Sequence, residues 1–332
     1  MAPEAHKIPE LTVLVPVFNE AENVPLLVER LTPALEACVS SHEIIFVDDG
    51  SQDGTMDAVR AEHARDGRVD AISFSRNFGK EVAIAAGLDH ARGRAVVIMD
   101  ADLQHPPEAI ADLVEKWREG YGNVYGLRSD RDSDSAMRRA LTQRFYRLFA
   151  RLGETRLPPG AGDFRLLDRK AVNALMRMRE RARFNKGLYS WIGFKSIGVP
   201  YQASERAHGE SKFTYRKLTR FALDGLMSFS TVPLMVWTFI GMTVSFLSFF
   251  AAFYIVVSTL IHGTDVPGYA SLIVSISFLS GIQLMSLGIL GEYVGRIFAE
   301  VKGRPLYIVG EHLSVDERDR IARESLTPRA AE

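Results

Sequence analysis

The run Val97-Ile98-Met99-Asp100-Ala101-Asp102-Leu103-Gln104-His105-Pro106 ends an apolar stretch with two carboxylates one residue apart. Side chains of a strand alternate between its faces, so residues i and i+2 project together. Asp100 and Asp102 can therefore reach toward one divalent cation, and their hard oxygens suit Mg²⁺ or Mn²⁺ held against a diphosphate. A second acidic turn, Asp48-Asp49-Gly50-Ser51, follows another apolar stretch and precedes a helix start at Gly54-Thr55. Carboxylates in that position can accept hydrogen bonds from a base imide or a ribose hydroxyl. Asp-Asp-Gly is equally an ordinary turn.

The elements that must position these residues show as alternating patterns. Residues 11–17, 43–47, 69–74 and 95–99 are Val- and Ile-rich runs that read as strands, and residues 21–37, 53–64, 79–91 and 106–119 read as helices. Such alternation predicts an α/β domain with a mostly parallel sheet and helices on both faces. Ligands of such sheets bind beyond the carboxyl ends of the strands, where Asn19, Asp48, Asp49, Asp100 and Asp102 all fall. A strand over 121–126, a basic helix over 135–152, a Pro-Gly turn over 157–162 and a strand from Asp163 follow.

The 332 residues leave room for a catalytic domain of roughly 230 residues and an appendage. A net charge of −1 provides no basic field for nucleic acid. Arg and Lys crowd between Arg128 and Arg156 and between Arg206 and Arg220, patches suited to anionic substrates, to lipid headgroups or to a solvated helix face. Cys38 is the only cysteine, which excludes an intrachain disulfide and any Cys-based zinc site and fits a reducing compartment. Residues 1–10 lack the apolar core of a signal peptide. His105 and His208 lack the partners of a zinc site or a nucleophilic triad.

Further along, residues 212–227 interleave Phe213, Leu218, Phe221, Leu223 and Leu226 with Lys212, Arg216, Lys217 and Arg220, the pattern of a helix lying in a membrane interface. No Asp, Glu, Lys or Arg occurs between Asp224 and Asp265, nor between Asp265 and Glu292. A hydrocarbon core needs about 20 apolar residues in a helix, so transmembrane helices are expected over 232–261 and 269–291 with a short loop between. Basic residues flank the pair on both sides and are missing from the loop, which puts both flanks in the cytoplasm.

Four motifs carry a resemblance: Val15-Pro16-Val17-Phe18-Asn19-Glu20, Asp48-Asp49-Gly50-Ser51-Gln52-Asp53-Gly54-Thr55, Asn77-Phe78-Gly79-Lys80 and the Asp100 to Pro106 run. With Gly162-Asp163-Phe164-Arg165, Trp191-Ile192-Gly193-Phe194-Lys195 and Arg206-Ala207-His208-Gly209-Glu210-Ser211-Lys212, they resemble family 2 inverting glycosyltransferases of GT-A fold. More narrowly they are similar to polyprenyl-phosphate hexosyltransferases, the group of dolichol-phosphate mannose synthases and bactoprenol glucosyltransferases; the paired spans favour the latter branch.

The resemblance implies a GT-A, Rossmann-like catalytic domain over 11–211 after a short tail (1–10), an interfacial amphipathic helix (212–230), a two-helix transmembrane hairpin (231–298) and a cytoplasmic tail (299–332). It places Pro16, Phe18, Glu20, Asp48, Asp49, Lys80, Asp100, Ala101 and Asp102 around the nucleotide sugar, and Asp100, Asp102 and Gln104 on Mg²⁺ or Mn²⁺. Arg128, Arg138, Arg139, Arg206 and Lys212 would clamp the acceptor phosphate, whose oxygens the arginine fork matches. Asp163, Asp102 and Arg206 would be catalytic. A phosphate monoester is already an anion near its second pKa and hardly needs deprotonation, so Asp163 is expected to orient the acceptor, the metal or the sugar, and to act as a base only toward the monoanion.

The expected activity is transfer of a hexose, glucose from UDP-glucose first, onto undecaprenyl phosphate at the cytoplasmic face of a bacterial inner membrane. GDP-mannose and modified arabinose or galactosamine nucleotides are alternative donors, because donor choice rests on loop detail. A membrane scaffold without catalysis is the alternative from another class. A processive synthase would need more spans and a Gln-x-x-Arg-Trp motif that the chain lacks. The expected partners are the nucleotide sugar, the polyprenyl phosphate and the membrane, with room for a homo-oligomer.

Overall fold

The computed structural model describes residues 8–129, 158, 160–181, 183–204, 232–262 and 268–314. The basic helix expected over 135–152 and the interfacial helix over 212–230 lie outside these residues. Eight strands form one sheet in the order β7-β5-β6-β4-β1-β2-β3-β8. β1 (Leu11–Val17), β2 (His42–Asp48), β3 (Val69–Phe74) and β4 (Ala95–Ile98) make its parallel centre, with β1 between β2 and β4. These strands are apolar on both faces because both are covered. Val13, Val15, Ile44 and Phe46 enter one core, and Leu14, Ile45 and Val47 enter the other.

Beyond the centre the sheet is mixed, where the apolar alternation predicted mostly parallel pairing. β6 (Ala161–Asp168) runs antiparallel to both β4 and β5 (Asn123–Arg128), β7 (Ser196–Tyr201) pairs parallel with β5, and β8 (Val309–Leu313) pairs antiparallel with β3. Antiparallel neighbours need no crossover helix, so the βα pattern does not announce them.

α1 (Asn23–Cys38) buries Val24, Leu27, Val28, Leu31 and Leu35, one stripe at helical spacing. α2 (Thr55–Arg65) and α3 (Lys80–His90) follow β2 and β3, and α4 (Ile110–Arg118) follows a turn of 3₁₀-helix. α3 lies close against the sheet. A Cβ on Gly87 would stand 1.9 Å from Leu14 Cδ1, so the absence of a side chain there sets how near α3 approaches β1. α5 (Arg169–Met176) and α6 (Asn185–Trp191) complete the layers over the sheet.

Pro16 sits in the central strand without breaking it. Leu14 O accepts from Met99 N on the β4 side, whereas Val17 O accepts from Asp49 N on the β2 side. Alternation puts the missing N–H of Pro16 on the β4 side, one step past Leu14↔Ile98, where the β1–β4 ladder stops. The ladder between β1 and β4 ends at that point, just before Asp100.

Two long helices follow, α7 (Val232–His262) and α8 (Tyr269–Val301), which touch each other. Among the described residues Phe278–Val301 is long and apolar enough to cross a membrane, with a mean hydropathy of 1.2; Phe239–Ala251 is a shorter apolar stretch. From the end of α8 the chain returns to the catalytic sheet. Glu300 Oε1 accepts from Arg181 N at 2.7 Å, and Tyr307 stacks on Phe74 at 5.2 Å and donates to Asp89 Oδ2 at 2.9 Å. Arg60 holds Glu311 through two bonds of 3.1 and 2.6 Å. β8 was not foreseen from the sequence, where its Val-Gly-Glu-His-Leu has no apolar run.

Candidate active site

β4 is fully buried and ends at Ile98; Asp100 and Asp102 stand just beyond it, with buried Ala101 between them. Leu103 has φ of 60° and is only 4% exposed. A bulky residue in the left-handed region is strained, and burial of its side chain holds the turn that presents Asp102 and Gln104. Asp102 Oδ1 accepts from Gln104 N at 3.2 Å, so the turn also orients that carboxylate. His105 lies flat on Phe164 at 4.9 Å, with Tyr201 edge-on at 5.8 Å, and its Nδ1 faces Asp100 N at 3.3 Å. A backbone N–H can only donate, so His105 accepts on Nδ1 and is neutral with its proton on Nε2. Burial pushes its pKa down and supports that state.

The antiparallel register pairs Ile98 with Arg165; two further steps bring Asp100 opposite Asp163. Between them stands Lys80, the first residue of α3, whose Nζ is 2.6 Å from Asp100 Oδ1 and 3.2 Å from Asp163 Oδ2. The charges of Asp100 and Asp163 raise the Lys80 pKa and hold the ammonium charged. Gly79, with φ of 100°, makes the turn into α3.

Burial alone would raise the Asp163 pKa, but Lys80, Lys186 and Arg165 outweigh it and hold this carboxyl well below the usual range. Its Oδ1 is buried and has no hydrogen-bond partner among the described residues. Glu81 behaves oppositely: burial, then the charge of Asp163, pushes its carboxyl up to about 7, although Asn185 N donates to its Oε2 at 2.6 Å. Arg165 stacks on the Tyr189 ring at 3.8 Å and donates to Gly162 O at 2.5 Å. Glu81, Lys186 and Tyr189 escaped the sequence reading, and Arg165 entered it only as part of a motif, without a role. The signal for Glu81 was its place next to Lys80.

The two carboxylates of the acidic turn are engaged within the protein. Asp48 accepts from Ser51 N (3.0 Å) and Ser73 Oγ (2.7 Å), and Asp49 accepts from Phe78 N and Gly79 N at 2.6 to 3.0 Å. Asp49 thus ties the β2 turn to the start of α3, and so to Lys80. Glu20 accepts from Asn23 Nδ2 at 2.6 Å, and Phe18 and Pro16 lie half-buried beside it in sequence at the end of β1. Arg128 is exposed at the end of β5, opposite Tyr201 in register. Arg138, Arg139, Arg206 and Lys212 lie outside the described residues.

A cation would find hard oxygens here. Among the described residues no three His, Cys, Asp or Glu side chains cluster to cage a metal. Asp100 and Asp102 supply the two carboxylates with which Mg²⁺ or Mn²⁺ is held when phosphates and water complete the shell, so the donor set fits an ion shared with a diphosphate.

Residues 12–176 match the model of glycosyl transferase family 2, and the chain belongs to that family. Within it the chain is 44% identical over 300 residues to the bactoprenol glucosyl transferase of Shigella phage SfII, covering 90% of this chain and 97% of the relative. A prophage bactoprenol glucosyl transferase homolog of Escherichia coli K12 is 43% identical over 90% of this chain and 98% of its own. An uncharacterized glycosyltransferase of Synechocystis is 46% identical over 91% and 95%. Among solved structures, a mannosyltransferase of Pyrobaculum calidifontis with GDP-Man and Mn²⁺ aligns over 98% of this chain and 82% of its own, at 17% identity and a TM-score of 0.46. The chain is a glycosyltransferase.

Proposed function

We propose that this glycosyltransferase moves glucose from UDP-glucose to undecaprenyl phosphate with inversion, at the cytoplasmic face of a bacterial inner membrane. The observation that carries the reading is Lys80 joining Asp100, just past the end of β4, to Asp163 on the antiparallel β6, with Asp102 two residues beyond Asp100. Near-full-length relatives named as bactoprenol glucosyl transferases support the lipid acceptor and the sugar.

Asp100 and Asp102, with Gln104 beside them, would hold Mg²⁺ or Mn²⁺, which stabilises the charge growing on the departing diphosphate. Pro16, Phe18, Glu20 and the Asp48–Asp49 turn border the base and ribose. Asp163 is ionised with its pKa held low, and a carboxylate so stabilised is a weak base. It orients the reactants, and the acceptor phosphate, already anionic, attacks the anomeric carbon from the face opposite the leaving group. Arg128, Arg138 or Arg139, Arg206 and Lys212 receive that phosphate.

Two spans, α7 and α8, hold the site at the bilayer, with the sheet and both flanks on one side. The apolar stretches Phe239–Ala251 and Phe278–Val301 and the basic flanking residues support this arrangement. Purified protein with undecaprenyl phosphate, Mg²⁺ or Mn²⁺ and a panel of nucleotide sugars tests the whole reading. Glucosylated lipid from UDP-glucose is expected. Product from GDP-mannose alone overturns the donor, and no product from any donor overturns the acceptor or leaves the scaffold reading.

A further inference from the structure

We propose that Lys80 is an exchangeable counter-ion: it neutralises Asp100 and Asp163 before the donor arrives, and cedes Asp100 to the metal while keeping Asp163. The proposal rests on the reading of Asp100 and Asp102 as metal ligands. It explains three observations together. One ammonium lies within ion-pair reach of a carboxylate on each side of the crevice, 2.6 Å from Asp100 and 3.2 Å from Asp163. Its side chain is 40% exposed, so it can move without unpacking a core. Its helix start is fixed by Asp49, which accepts from Phe78 N and Gly79 N, so the backbone of Lys80 stays registered to the nucleotide end of the crevice while the side chain changes partner.

Lysine suits this exchange. Its ammonium is a compact point charge on a flexible stem, whereas an arginine fork would lock both carboxylates in a fixed geometry. Asp100 and Asp102 bring two negative charges to the donor side, which one divalent cation cancels, while Lys186 and Arg165 act together with Lys80 on Asp163. The metal and Lys80 therefore compete for Asp100, and metal binding on the donor side leaves the ammonium to Asp163 on the opposite strand. Donor-side occupancy and the state of Asp163 are coupled through one side chain.

The test is Mn²⁺ binding to the full-length protein without nucleotide, read by the electron paramagnetic resonance of free Mn²⁺. Lys80→Gln and Lys80→Met are expected to bind Mn²⁺ at least about tenfold more tightly than the parent, as removal of a unit charge a few ångströms away predicts. Asp163→Asn is expected to weaken Mn²⁺ binding in the parent, because Lys80 then serves Asp100 alone, and to weaken it by clearly less in the Lys80→Gln background, where only the direct loss of the Asp163 charge remains. Unchanged or weaker binding by both Lys80 variants, with circular dichroism matching the parent, overturns the exchange. An Asp163→Asn effect as large without Lys80 as with it overturns the coupling. No Mn²⁺ binding by any protein overturns the metal assignment, and the exchange with it.

Discussion

The two ends of the sheet carry the same charge motif, one cation between two carboxylates, built in different ways. At the amino end Arg92 bridges Glu43 and Asp70, with Nε 2.7 Å from Glu43 Oε2 and Nη2 2.9 Å from Asp70 Oδ2. There Thr12 Oγ1 and Arg92 N donate to Glu43 Oε1 at 2.6 and 2.7 Å, and Gly93 N donates to Thr12 at 2.8 Å. Both carboxylates are under a tenth exposed. At the carboxyl end Lys80 bridges Asp100 and Asp163, Asp100 is 32% exposed, and Asp163 Oδ1 has no partner among the described residues. The first triad closes its bonds with a planar fork and the backbone; the second leaves capacity open around a mobile charge. Similar charge counts thus mark a clasp at one end and a site at the other.

The contrast breaks most sharply if the carboxyl-end residues prove structural. Asp102→Ala is expected to lower transfer by at least about a thousandfold, the scale of losing a ligand to the charge on the leaving group, with thermal unfolding unchanged. A radiolabelled lipid-product assay beside a melting curve checks both halves, and normal transfer would refute the assignment. Arg92→Ala is expected to behave in reverse. It removes the shared guanidinium from two buried carboxylates and costs roughly 2–3 kcal/mol by urea unfolding, less than breaking a fully buried pair would, because Arg92 is itself 37% exposed and Glu43 keeps its bonds from Thr12 and the Arg92 backbone. Turnover per folded molecule should hold.

Gly87→Ala tests whether the spacing of α3 sets the site. The new methyl group meets Leu14, and overpacking of that kind costs about 1–3 kcal/mol; because α3 carries Lys80, the donor KM is expected to rise as well. The smallest effect belongs to Glu81. Its folded pKa lies above its unfolded value, so the proton is bound more tightly in the folded state. Its contribution is fully present below about pH 4.5 and is lost as pH rises to about 7. Glu81→Gln should remove that fall, about 1 kcal/mol after allowance for solvent screening. A pH series of unfolding curves that stays parallel for the two proteins would show that Glu81 does not titrate in this window.

Much of this organisation was legible in local pattern. The Val- and Ile-rich runs are strands because both faces are buried, and the strand-end rule led to Asp100 and Asp102. What escaped was set by distant pairing. Lys80 meets Asp163 only because β6 runs back along β4, and antiparallel return leaves no trace in the βα rhythm. β8 pairs through its backbone, with Glu311 held by Arg60, so its composition gives no strand signal. The acidic turn reads alike whether its carboxylates face a ligand or loop N–H groups, and only the folded geometry distinguishes these uses.

The strand order has a mechanical consequence. The last described strand before the long helices, β7, and the first one after them, β8, are the two outermost strands of the sheet. Seven strand spacings of about 4.8 Å separate them, roughly 34 Å. On the β8 margin the return from α8 is tied down by Glu300 on Arg181, Tyr307 on Asp89 and Glu311 on Arg60. That margin works like an abutment, and cutting those ties should loosen the bearing of the sheet to α8 before it loosens the sheet itself.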